Sequence, residues 1–113
     1  MRTKRIKPDK LIWEIKKVKA RLITITAMED KGKFILLYQF DGKELMNIEI
    51  ALPKKNPVVG SIIRIYPSAT LYECEIHDLF GIEFEGNPNL EHNLFLEDHW
   101  KGGPPLSAAG KNA

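Results

Sequence analysis

The sequence predicts an α+β domain in two layers, helices packed on one face of a mainly antiparallel or mixed sheet, with an irregular C-terminal tail. Three observations lead there. The hydrophobic period runs helical, then alternating, then helical along the chain, the order of an α+β fold. The periodic segments are joined by short connections rich in Gly, Pro, Asn and Asp. The chain has 113 residues, 43% hydrophobic and 28% charged, which suits one soluble globular domain rather than two. A core of that size is small, so the domain is expected to rely on a partner.

Pro8-Asp9 is a start signal for a helix over 10–19, in which Leu11, Ile12, Ile15 and Val18 form an apolar stripe turned to the core. Residues 21–28 are β-branched and alternating, a strand pattern. Glu29-Asp30-Lys31-Gly32 reads as a turn into a second strand around Phe34–Tyr38, apolar enough to be central. Asp41-Gly42 is a hairpin signal, because both residues tolerate positive φ. Residues 44–52 alternate and make the third strand.

After the loop Pro53–Pro57 the character of the chain changes. Ser61 caps a short helical turn through Tyr66, and Pro67 stops it. Thr70-x-x-Glu73 matches a capping box, predicting a helix from about Leu71 to Phe80 with Glu73 at its N-terminus. Gly81 stands where a left-handed cap belongs. Beyond it Ile82, Phe84, Pro88, Leu90, Leu94, Phe95, Leu96 and Trp100 follow neither period. Large apolar side chains on irregular chain are expected to pack against something else. The expected organisation is a flexible basic N-terminus (1–9), a domain (10–90) and an extended interaction tail (91–113).

Charge is unevenly spread. Residues 1–21 carry nine basic side chains against Asp9 and Glu14, whereas residues 73–98 carry eight acids and no Lys or Arg. Each end is then able to steer a partner of opposite charge. The formal net charge of +2 argues against a domain that binds nucleic acid by charge alone. Cys74 is the single cysteine, which excludes an intrachain disulfide and a cysteine-held cluster. No uncharged apolar stretch approaches a bilayer span, and Glu14 interrupts the first apolar run before it forms a signal-peptide core. The chain is accordingly expected in the cytosol.

Glu73, Glu75, His77 and Asp78 form the densest ionisable cluster. Glu73 and His77 are i, i+4 neighbours on a helix, a spacing that serves a metal pair or an acid–base pair as well as a surface ion pair. A small metal-dependent enzyme built on Glu73, His77 and Asp78 is therefore the alternative to a non-catalytic role. Metal ligation asks for a third ligand, and His92 and His99 fall in irregular chain. Cys74 reads as a core filler, with no adjacent cation to lower its pKa. The glycines match neither a dinucleotide fingerprint nor a phosphate loop.

Residues 66–90, YPSATLYECEIHDLFGIEFEGNPNL, resemble the motif of the 30-kDa subunit family of respiratory NADH dehydrogenase (complex I). That pattern runs Glu-Arg-Glu, any residue, aromatic or His, Asp, aliphatic, Phe-Gly-Ile, any, Phe, any, Gly, His or Asn, Pro. In this sequence its positions are Glu73, Glu75, His77, Asp78, Phe80, Gly81, Phe84, Gly86 and Pro88. Thr26–Asp30, Ser61–Ile63 and Tyr66-Pro67 also look like the family, so the resemblance covers roughly residues 10–106. His77, Asn87 and the short chain look most like members of membrane-bound, energy-converting [NiFe]-hydrogenase complexes. Two positions depart from the pattern. Cys74 replaces the Arg between the glutamates, and Ser107-Ala108-Ala109 follow Pro105-Leu106 where the family often has Arg-Lys-Asp.

The resemblance implies a hydrophilic subunit with no cofactor or catalytic residue of its own, iron–sulfur clusters and any metal centre lying in partner subunits. It implies docking on the large hydrogenase-like subunit, beside the small iron–sulfur subunit, on the cytoplasmic side of the membrane. Leu90, Leu94, Phe95, Trp100, Pro104, Pro105 and Leu106 are the expected contacts. Nucleic acid is not an expected partner, and membrane contact is expected only through the complex.

Overall fold

The computed structural model describes residues 2–92. Strands β1 (Arg2–Arg5), β2 (Arg21–Asp30), β3 (Lys33–Asp41) and β4 (Leu45–Pro53) form one sheet in the order β1-β4-β3-β2. Helix α1 (Leu11–Lys17) precedes β2 and helix α2 (Ala69–Phe80) follows β5 (Val58–Gly60). β5 pairs in parallel with β6 (Glu83–Glu85) in a second, two-stranded sheet. The fold is the α+β two-layer arrangement that the periods predict. The helix expected over 10–19 is a 3-10 turn at Pro8–Lys10 running into α1, and it ends at Lys17 because Val18 is extended (ψ 122°).

The basic N-terminus, expected to be flexible, instead supplies β1, which runs parallel to β4 with Lys4 opposite Ile48. Four charged or hydroxyl side chains in a row give no apolar alternation, so local pattern had nothing to announce this strand. Its pairing is continued by Ile6 N–H, which donates to Glu49 O at 3.0 Å.

One face of the main sheet is the core. Phe34, Leu36, Tyr38 and Phe40 alternate inward on β3, beside Ile48, Ile50 and Leu52 on β4. Strand β2 is irregular between Leu22 and Thr24. That bulge lets Leu22 and Ile25, three residues apart, both face inward, where strict alternation would have paired Ile23 with Ile25. Leu11 and Ile15 of α1 and Ala69, Cys74 and Ile76 of α2 close the layer from the same side.

The tight turn of the meander lies at Lys31 (φ 50°) and Gly32 (φ 79°), between the paired Asp30 and Lys33. The hairpin at Asp41 forms too, but through Gly42–Glu44, and without the positive φ expected of Asp41-Gly42. Glycine suits position 42 for another reason: a Cβ there would stand 3.1 Å from the Ala20 Cβ.

Candidate functional site

The motif residues are brought together by α2 and by the two short strands that flank it. α2 packs on β2, where Tyr72 Oη–H donates to Ile23 O at 2.8 Å. Its far end meets β3 through an edge-to-face contact of Phe80 with Phe34, centroids 5.6 Å apart. Gly81, at φ 77°, ends the helix in the left-handed cap expected of it, and its N–H donates to His77 O at 2.8 Å. The chain turns at once into β6, which pairs with β5 from the other side of the helix in sequence.

The capping box does not form. Ser68 is the N-cap residue of α2 and makes no side-chain capping bond, and Thr70 Oγ1 donates to Pro67 O at 2.8 Å. Glu73 lies a full turn further in, 0% exposed. Its Oε1 accepts from Ser61 Oγ at 2.5 Å and from Asn87 Nδ2 at 2.9 Å, and its Oε2 accepts from the Ile62 N–H at 2.9 Å. One carboxylate thus joins the turn after β5, the body of α2 and the loop after β6. Burial pushes the Glu73 carboxyl above its usual range, while the three donors pull the other way.

The donors are themselves fixed. Ser61 Oγ accepts from the Ile63 N–H at 3.2 Å, the turn cap that its position predicts, and Ser61 N–H donates to Glu85 O at 2.8 Å. Asn87 Oδ1 accepts from the Asn89 N–H at 3.0 Å. Gly86, at φ 94°, and exposed Pro88 set the bend that turns Asn87 inward. Beneath this cluster the Tyr38 hydroxyl is buried without a hydrogen-bond partner, its pKa raised by burial and by the Glu73 charge.

The other ionisable groups do not converge with Glu73. His77 Nδ1 is 2.9 Å from Ile82 O, so this nitrogen carries the proton, and Glu83 Oε1 is 3.9 Å away. Glu75 is exposed and Asp78 is buried on α2. Burial and the neighbouring Asp78 and Glu73 carboxylates raise the Cys74 thiol, which keeps it protonated. Among the described residues no three His, Cys, Asp or Glu side chains form a metal-holding group. The arrangement fixes chain segments, since the two Glu73 oxygens are engaged by three donors from separate parts of the fold.

One expectation changes here. Phe84, Ile82 and Leu90 are buried in the domain's own core, so Leu90 is no partner contact of the kind expected: the irregular segment folds back because β6 gives it a second sheet to join. Leu94, Phe95, Trp100, Pro104, Pro105 and Leu106 lie outside the described residues. Sequence reasoning missed that Asn87 and Ser61 serve Glu73. They stand 14 and 12 residues away, beyond any helical or strand spacing, and the bend at Gly86-Asn87-Pro88 was the only local sign.

Residues 5–109 match the family model described as respiratory-chain NADH dehydrogenase, 30 Kd subunit. A subunit of the NADH-quinone oxidoreductase of Trichlorobacter lovleyi is 33% identical over 102 residues, covering 80% of this chain and 62% of that protein. A longer NADH-quinone oxidoreductase subunit, from Methylococcus capsulatus, is 42% identical over 59 residues, covering 52% of this chain and 10% of that one. The chain therefore spans less than two thirds of the curated relatives it matches. Among solved structures, a chain of the membrane-bound sulfane sulfur reductase, an archaeal respiratory membrane complex, superposes with a TM-score of 0.74 at 27% identity, over 87% of this chain and 65% of that one. A trypsin-resistant fragment of Nqo5 shares the fold, with a TM-score of 0.68 at 22% identity, over 74% and 78% of the two chains. The sequence motif, the fold and the family model agree: this chain belongs to the 30-kDa subunit family of respiratory-chain NADH dehydrogenase.

Proposed function

We propose that the chain is a non-catalytic hydrophilic subunit of a membrane-associated, ion-translocating oxidoreductase, of the complex I or energy-converting hydrogenase kind. The observation that carries this is the fate of Glu73. The most chemically suggestive carboxylate of the motif is buried, and its oxygens are taken up by Ser61, Ile62 and Asn87, which suits holding a shape rather than turning over a substrate. The likeness to a chain of an archaeal respiratory membrane complex supports the setting. No described helix is long and apolar enough to cross a membrane, which fits attachment through other subunits.

In this reading the chain docks on the large hydrogenase-like subunit near the small iron–sulfur subunit, peripheral to the cytoplasmic face. The redox centres lie in those partners. Residues 91–113, with Leu94, Phe95 and Trp100, supply the anchors, since aromatic side chains of this kind dominate stable interfaces. Purifying the tagged chain from native membranes tests it. The expected result is co-purification of a large subunit and an iron–sulfur subunit, lost when residues 91–113 are removed. A chain recovered alone, or a truncated chain that assembles at normal yield, overturns it.

A further inference from the structure

A second surface lies apart from the motif, where the chain leaves β1 and enters α1. Ile6, Lys7, Asp9, Lys10, Trp13 and Glu14 line an open cleft there. Trp13 is 64% exposed, the most exposed large apolar side chain among the described residues, and Lys17 Nζ sits 5.4 Å from its ring centroid. Part of the local charge is already paired. Glu14 is held by Lys4 at 2.8 Å and Lys17 at 3.7 Å, which keeps its carboxyl below the usual range, and Arg5 pairs with Glu49 at 2.9 Å. Lys7 and Lys10 have no described carboxylate within 4 Å, and neither do Lys16 and Lys19 on the flanking chain. The cleft therefore offers an exposed indole together with the unpaired ammonium groups of Lys7 and Lys10, Asp9 and the paired Glu14 sharing its wall.

We propose that this cleft is a docking surface for an acidic segment of a neighbouring protein subunit, an apolar side chain packing on Trp13 while Asp or Glu side chains meet Lys7 and Lys10. The proposal rests on the reading of the chain as a subunit and adds a contact that does not involve the tail. Charge complementarity selects the partner: an excess of cations around an aromatic anchor matches acids flanking an apolar group. A lipid surface fits less well. Leu11 and Ile15 of α1 are turned into the protein's own core, leaving Trp13 as the exposed large apolar group of this helix, whereas interfacial helices bury a whole apolar face. RNA fits less well too: its continuous phosphate charge would meet Asp9 and Glu14 in the same cleft, whereas a peptide can place discrete acids opposite Lys7 and Lys10 alone.

Photocrosslinking in the assembled complex decides it, with benzoylphenylalanine introduced in place of Trp13 or, separately, of Trp100. The expected product at position 13 is a crosslink to an Asp- or Glu-rich peptide of another subunit, mapped by mass spectrometry. Its yield should fall about tenfold in the double variant Lys7→Glu/Lys10→Glu, because like charges then face each other. Both lysines are exposed, so the fold tolerates the change. Crosslinks at position 13 to lipid, to RNA, to a basic peptide or to nothing overturn the proposal, as does a yield indifferent to charge reversal. Protein crosslinks at position 100 but not at 13 defeat this surface alone; none at either position defeats the subunit reading as well.

Discussion

In the meander β2–β4 each strand pairs with its neighbour in sequence, and the inward side chains are apolar at every second position of β3. Between residues 58 and 92 the order is of another kind. There β5 meets β6 only after a 12-residue helix, and the tie between the segments is a buried carboxylate with three donors. The meander is held by many interchangeable contacts, none of which decides the fold. The second region depends on one side chain whose loss strands several polar groups at once. An apolar layer degrades gradually, while a polar network fails when a single member is removed.

The largest break should come from Glu73→Ala. It leaves the Ile62 N–H, the Ser61 hydroxyl and the Asn87 amide without their acceptor, for a loss of about 3 kcal/mol or more. Chemical denaturation measures the size, and hydrogen exchange locates it. Protection should fall first in 58–62 and 83–90 while β2–β4 stay protected; a core change such as Leu36→Ala, about 2–5 kcal/mol, should lower protection throughout. Asn87→Ala is expected to cost about 1–3 kcal/mol, again confined to the second region. Tyr38→Phe acts in the opposite direction. Its hydroxyl is buried without a partner, so removing it should stabilise by about 1 kcal/mol.

The pH dependence sharpens the same contrast. Burial raises the Glu73 carboxyl in the folded chain, so the folded state holds its proton more tightly than the unfolded state does. The contribution is fully present below the ordinary carboxylate pKa and is lost as pH rises through the raised value. Stability of the wild type should therefore fall across that window, and Glu73→Gln should remove that part of the slope. The smallest effect is expected on the meander's surface: Arg21→Ala breaks the 2.9 Å pair with Asp41, whose side chains are largely exposed, and should leave the unfolding midpoint within error.

The same contrast explains what was legible in the sequence. Strands β2–β4, α1 and the Gly81 cap follow from local period and from glycine's access to positive φ, and the structure has them within a few residues. β1 was not legible, because Arg2–Arg5 carry no apolar alternation and are recruited by the open edge of β4. The bulge at Leu22/Thr24 was hidden because Leu22-Ile23-Thr24-Ile25 satisfies alternation in more than one register. At the site, Thr70-x-x-Glu73 imitates a capping box, but Glu73 finds better donors across the fold than at its own helix end. Phe84 and Leu90 read as adhesive because β6, three residues long, is too short for its period to show.

In the proposed function the motif holds the chain in a shape that partners recognise and performs no chemistry. Glu73→Gln tests it most directly when complex yield and turnover per assembled complex are both measured from native membranes. The Gln amide sets a donor against the three donors around it, so the amount of complex should fall while turnover per complex stays at the wild-type value. Full assembly with reduced turnover per complex would contradict the claim and give Glu73 a direct part in the reaction.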